Sequence, residues 1–119
     1  MTIEEFIKEV EKLGFKVTDK ELSQLDTIYK TLIDTNKTMN LTRITDKENV
    51  YLKHFYDSLT LAKVYDLNKS QTLCDIGTGA GFPGLVLKIF YPNLDITLVD
   101  SLQKRVNYLN KLIEKLNLK

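Results

Sequence analysis

Apolar positions recur at helical spacing three times before the pattern changes near Gln71. Ile3, Phe6, Ile7, Val10 and Leu13 form the first stripe, and Gly14 supplies a stop. Leu22, Leu25, Ile28, Tyr29, Leu32 and Ile33 form the second. Val50, Leu52, Phe55, Leu59, Ala62 and Tyr65 form the third, which predicts a helix from Lys47 to about Tyr65. A threonine followed three residues on by glutamate precedes each stripe: Thr2 with Glu5, Thr18 with Glu21, Thr45 with Glu48. That is capping-box spacing, in which the two residues satisfy free backbone N–H groups at a helix start. Each stripe is most simply the core-facing surface of a helix.

Beyond Gln71 the segments are shorter. Thr72 to Ile76 is mostly apolar and predicts a buried strand. Leu85 to Phe90 predicts a helix, with Pro83 near its first turn, where a missing N–H is harmless. Pro92 and Asn93 mark a turn, and Asp95 to Val99 predicts a second strand. A last helix runs from about Leu102, with Leu102, Val106, Leu109, Leu112, Ile113 and Leu116 inward. Lys104, Arg105, Lys111 and Lys115 then lie mostly outward. Strand, helix, strand and helix in this order imply a parallel pair joined by a right-handed crossover. The expected class is α/β: a helical region over 1–68, then the start of a Rossmann-like domain over 69–119. No repeat, low-complexity tract or Pro/Ser-rich linker interrupts the chain.

Composition adds limits. A chain of 119 residues is one domain's worth. No apolar run is long enough to span a membrane, and the acidic, amphipathic start is unlike a signal peptide. The single Cys74 cannot form an internal disulfide, which suits a reducing cytoplasm, the expected location. It has no second cysteine with which to bind a metal, and it reads as a small buried core residue. Net charge is +1, but it is unevenly spread. Met1 to Thr35 holds eight acids against five lysines, and the remainder twelve basic residues against eight acids. A basic second part permits an anionic partner without requiring one; a solvated surface explains it equally.

The chemistry concentrates in D-I-G-T-G-A-G-F-P-G at 75–84, between strand and helix, with four of the five glycines. Glycine turns of this kind are where α/β folds bind nucleotides. Gly79, Gly81 and Gly84 fit the dinucleotide fingerprint G-x-G-x-x-G. Register argues otherwise. Counting from Gly77, the first glycine after the strand, the third fingerprint position is Phe82, where an aromatic would block close helix–strand packing. The same count gives D-x-G-x-G-x-G, which resembles motif I of S-adenosylmethionine-dependent methyltransferases. The resemblance implies that the turn passes under the methionine part of the cofactor, with Asp75 near its amino group. Asp100, 23 residues after Gly77, is placed to accept hydrogen bonds from ribose hydroxyls of either ligand, or to serve only at the start of the last helix.

Four segments make the resemblance specific: N-L-T-R-I-T at 40–45, K-H-F-Y-D-S-L at 53–59, the G-T-G-A-G-F-P-G loop, and T-L-V-D-S-L-Q-K-R at 97–105. Together they resemble the bacterial small-subunit ribosomal RNA guanine-N7 methyltransferase family, also called glucose-inhibited division protein B. The resemblance implies that Gly77 and Phe82 contact S-adenosylmethionine, that Gly79 and Gly81 shape the turn, and that Asp100 is the ribose acid. It also implies ribosomal RNA, or the small ribosomal subunit, as partner, and suggests that Asn40, Arg43, His54 and Asp57 border the cofactor pocket or the RNA entry. His54 is the only histidine, with Asp57 and Ser58 sharing its helix face; a purely structural role is the alternative. No nucleophile or general base stands in a triad arrangement, so no catalytic residue is assigned. Guanine N7 carries a lone pair and no proton, so methylation there needs no general base.

Two strands are few for this fold, and a two-stranded sheet is marginal alone. The expectation is a truncated form holding the N-terminal half of the site, with little or no turnover and an open sheet edge prone to self-association. Two further readings stand beside the methyltransferase: a non-catalytic module that binds nucleotide weakly, and an NAD-binding Rossmann fragment.

Overall fold

The computed structural model describes residues 1–60 and 72–118. Helix α1 (Ile3–Lys12) starts at a complete capping box: the Thr2 hydroxyl accepts from the Glu5 N–H, and the Glu5 carboxylate accepts from the Thr2 N–H, each at 3.2 Å. It ends where Gly14 takes φ 98°, letting the Phe15 N–H return to the Val10 carbonyl. Helix α2 (Asp19–Asn36) follows Thr18, whose N–H and hydroxyl both donate to the Glu21 carboxylate, at 3.0 and 2.8 Å.

The third stripe differs from its prediction. Asp46, not Thr45, caps it, accepting from the Asn49 N–H at 3.1 Å. One short turn, α3 (Lys47–Asn49), leads into a π-helical stretch over Val50–Tyr56 and then α4 (Asp57–Leu59). The wider i→i+5 turn changes which residues face inward. Tyr51 is buried, edge-on to Phe6 and Phe55, while Leu52 of the expected stripe is exposed. Burial, with lesser contributions from Asp26 and Tyr29, pushes the Tyr51 phenol up to about 12. The expected end of this helix, with Ala62 and Tyr65, and the boundary drawn at 68 lie outside the described residues.

Strands β1 (Thr72–Ile76) and β2 (Asp95–Val99) pair in parallel, from Thr72 opposite Asp95 to Ile76 opposite Val99. Between them α5 (Gly84–Phe90) is apolar on nearly every side, as a helix enclosed by other elements should be. It packs on the strands and touches α2 and α4. The α5–β2 turn is tied by Lys88, whose ammonium donates to the carbonyls of Pro92 and Leu94. Helix α6 (Gln103–Leu116) lies against α2 and ends at Asn117, which takes a left-handed φ of 57°.

Among the described residues the sheet is covered on one face only. Leu73, Asp75, Ile96 and Leu98 turn toward α5, whereas Thr72, Cys74 and Ile76 are exposed, as are Asp95, Thr97 and Val99. β1 is therefore not a buried strand, and Cys74 is not a core residue: side chains alternate along a strand, and among the described residues only one face has a covering helix. Leu102 also departs from expectation. It precedes α6 in extended conformation and is exposed, while Tyr108 is buried with Leu109, Leu112 and Leu116. The buried apolar residues form one cluster running from Phe6 to Leu116, joining the N-terminal helices to the strand–helix part. Phe15 makes part of that joint by packing edge-on against Phe90 and Tyr91.

Candidate functional site

The glycine turn crosses the C-terminal ends of both strands. Gly77, Gly79 and Gly81 have φ of 70°, 58° and 104°, in the region that side chains disfavour. The Val99 carbonyl accepts from the N–H groups of Gly77 (2.7 Å) and Thr78 (3.0 Å), which pins the turn to the end of β2. A Cβ at Gly77 or Gly79 would meet nothing within 4 Å, so the main chain there borders open space.

Two carboxylates hold the turn. Asp75 accepts with one oxygen from the Thr78 hydroxyl at 2.8 Å and the Gly84 N–H at 3.1 Å. It thus anchors both the turn and the first residue of α5. Asp100 accepts from the Leu102 N–H at 3.0 Å with one oxygen and from the Gly79 N–H at 2.9 Å with the other. The Arg105 guanidinium lies 3.7 Å away, and the Asp100 side chain is only 3% exposed. The hydrogen bond from Leu102, then that from Gly79 and the charge of Arg105, hold its carboxyl below the usual range. Asp100 thus serves both the loop and the start of α6, and a ribose would compete with, or share, these contacts.

Close helix–strand packing occurs at Gly84. A Cβ there would collide with the Leu98 side chain and crowd Asp75 and Ile96. Phe82 does not obstruct this contact, because the helix meets the strand two residues further on. The fit of Gly79, Gly81 and Gly84 to the dinucleotide fingerprint therefore includes the packing glycine, and Phe82 does not by itself exclude a dinucleotide.

Phe82 turns instead toward the π-helical stretch. Its ring stacks on His54, with centroids 4.7 Å apart and planes at 14°, and meets Phe55 edge-on at 5.8 Å. His54 Nε2 lies 2.9 Å from the Thr42 hydroxyl. Burial holds the imidazole below its ordinary range, partly offset by Asp57. His54, Asp57 and Phe82 border a cleft of about 460 Å³ together with Lys53, Ser58, Thr60 and Pro83. The Ser58 hydroxyl donates to the His54 carbonyl.

Of the expected residues, the structure thus gathers Asp75, Gly77, Gly79, Gly81 and Asp100 at the turn, and His54, Asp57 and Phe82 at the cleft. Asn40 and Arg43 are exposed, and it is Thr42 between them that touches His54. Thr78 was also missed. It occupies a spacer position in the glycine motif, yet it is 4% exposed and bonded to Asp75. A small hydroxyl residue between two glycines, three positions after an acid, was the available signal.

Comparison with known proteins identifies the family. A family model described as rRNA small subunit methyltransferase G matches residues 21–119. Proteins named ribosomal RNA small subunit methyltransferase G from Bacillus thuringiensis (strain Al Hakam) and Bacillus cereus (strain AH187) are each 51% identical to it over 118 residues. That alignment covers 99% of this chain and 49% of each relative, so the chain spans about half the length of the curated relatives it matches. With a family model matching most of its length and relatives 51% identical over 99% of it, the chain belongs to the rRNA small subunit methyltransferase G family.

Proposed function

We propose that this chain carries the cofactor turn and part of the substrate-facing surface of an S-adenosylmethionine-dependent methyltransferase acting on guanine N7 of small-subunit ribosomal RNA. The observation that carries the reading is a turn with open main chain at Gly77 and Gly79 and a carboxylate, Asp75, at its base, in a chain of this family. A carboxylate suits an ammonium group and repels a pyrophosphate.

S-adenosylmethionine, when bound, supplies an electrophilic sulfonium methyl. In this reading Gly77 and Gly79 let its methionine part lie against the backbone, and Asp75 pairs with its amino group. Asp100 has lone pairs left after accepting from Gly79 and Leu102, and these take ribose hydroxyls as the loop adjusts. Phe82, backed by His54, offers an apolar wall at the cleft. His54 is favoured in its neutral form and is not called on as a base, since guanine N7 has no proton to remove. Alignment of the nucleophile with the methyl and its leaving sulfur is the main contribution asked of the protein.

Titration calorimetry with S-adenosylmethionine tests this. We expect one-to-one binding, weakened about tenfold or more by Asp75→Asn, through loss of a charge-assisted contact. The packing of Gly84 favours a second reading, a dinucleotide site. NADH binding, seen by fluorescence transfer and unaffected by S-adenosylhomocysteine, would replace the first reading with the second. Failure of both ligands to bind would leave a non-catalytic module.

A further inference from the structure

Lys37 and three lysines of α6, far from it in sequence, meet at one cleft. It has a volume of about 590 Å³ and lies between the C-terminal end of α2 and α6. Lys37 stands on one wall, and Lys104, Lys111 and Lys115 on the other, with the buried ring of Tyr108 between them. Asp34 is the one carboxylate on the lining, so the cleft carries a net excess of three positive charges. All four lysines are exposed, and among the described residues none makes an ion pair. Positions 104, 111 and 115 recur at helical spacing, which places their ammonium groups along one face of α6. At about 1.5 Å rise per residue the row extends roughly 16 Å.

We propose that this cleft binds the phosphodiester backbone of the RNA substrate. The proposal rests on the methyltransferase reading for the identity of the RNA, and on the cleft itself for the contact. Unpaired ammonium groups lining a groove are what a phosphate backbone requires, because binding releases counterions and needs no base recognition. Lysine is depleted in the cores of protein–protein interfaces, which argues against a protein partner here.

Position supports the same partner. Lys104 is adjacent to Arg105, which reaches toward Asp100 at the glycine turn. The opposite wall runs from Lys37 and Met39 into the segment with Asn40, the exposed Arg43, and Thr42 at His54. Both walls therefore lead from the cleft to the candidate site. A strand held along the lysines is thereby directed toward the cofactor turn.

The test is fluorescence anisotropy of the 119-residue chain with a short fluorescein-labelled RNA from the small subunit, over a series of salt concentrations. Lys104→Gln/Lys111→Gln should weaken binding about tenfold near 0.1 M salt and flatten the log–log salt slope by roughly 0.7 for each phosphate contact removed. Lys8→Gln/Lys16→Gln removes equal charge from exposed residues outside the cleft and should change neither. Lys37→Gln/Lys115→Gln repeats the test should circular dichroism show the first pair misfolded. The proposal fails if the cleft and control pairs behave alike, if the cleft pair binds like the parent, or if the parent does not bind RNA. It also fails if poly-glutamate, or inorganic phosphate at equal phosphate concentration, competes as well as unlabelled RNA. Calorimetry with S-adenosylmethionine separates the two readings. Lost cofactor binding with intact, cleft-dependent RNA binding counts against the methyltransferase and not against the cleft.

Discussion

Thr42 and Phe82 hold His54 from two sides, and this makes its titration a probe of the site. Burial keeps the folded imidazole below its ordinary range, so between the folded and unfolded values the unfolded chain binds more protons. Stability contributed by neutral His54 is present above about pH 6.5, the unfolded value, and is lost as pH falls below it. The melting temperature should therefore drop between pH 7 and pH 5, and His54→Gln should shrink that drop. An unchanged pH profile in the variant would show that the stacked geometry does not discriminate against the charged ring. Thr42 is illegible in the sequence, whereas Thr78 has a local signal in its spacing from Asp75. The Thr42 hydroxyl's role depends on meeting His54 Nε2, twelve residues away, and no local pattern carries a trace of that.

Helix starts were more legible than helix interiors. Thr2 with Glu5 caps α1 as their spacing implies, because the bonds are local and need no tertiary partner. The third stripe holds at Val50, Phe55 and Leu59, which are buried, and departs at its cap and at Leu52. Asp46 out-competed Thr45 for the cap, and the π-helical turn moved Tyr51 inward and Leu52 outward. A period of 3.6 does not describe this stretch, because packing of Tyr51 against Phe6 and Phe55 is satisfied by a wider turn. The α5–sheet contact depends on Gly84, since a methyl group there runs into Leu98 and the Asp75 carboxylate. Gly84→Ala should cost about 1–3 kcal/mol by overpacking, read as a lower midpoint in urea. Cofactor affinity should fall with it, because the same carboxylate holds the turn. A variant as stable as the parent would show that Leu98 moves aside freely.

One buried cluster runs through the described residues, and it leaves one face of the sheet outside. Ile76 is 79% exposed and Val99 40%, on the same face as Cys74. Exposed Ile76 and Val99 at one end of a sheet that has two strands among the described residues favour pairing with another copy. We expect the weight-average mass in light scattering to rise with protein concentration, and Ile76→Lys/Val99→Lys to suppress the rise. A strict monomer at every concentration would rule the association out. Among the described residues no helix is long and apolar enough to cross a membrane. The helical stripes, both strand spans, the glycine turn and the family were all readable along the chain, because they rest on local periodicity, backbone freedom and short motifs. Which strand face is covered, how Asp75 and Asp100 divide the turn between them, and the meeting of Lys37 with Lys104, Lys111 and Lys115 were decided only on folding. Each joins elements whose relative placement is set by the shared core, and no local pattern encodes a contact made across it.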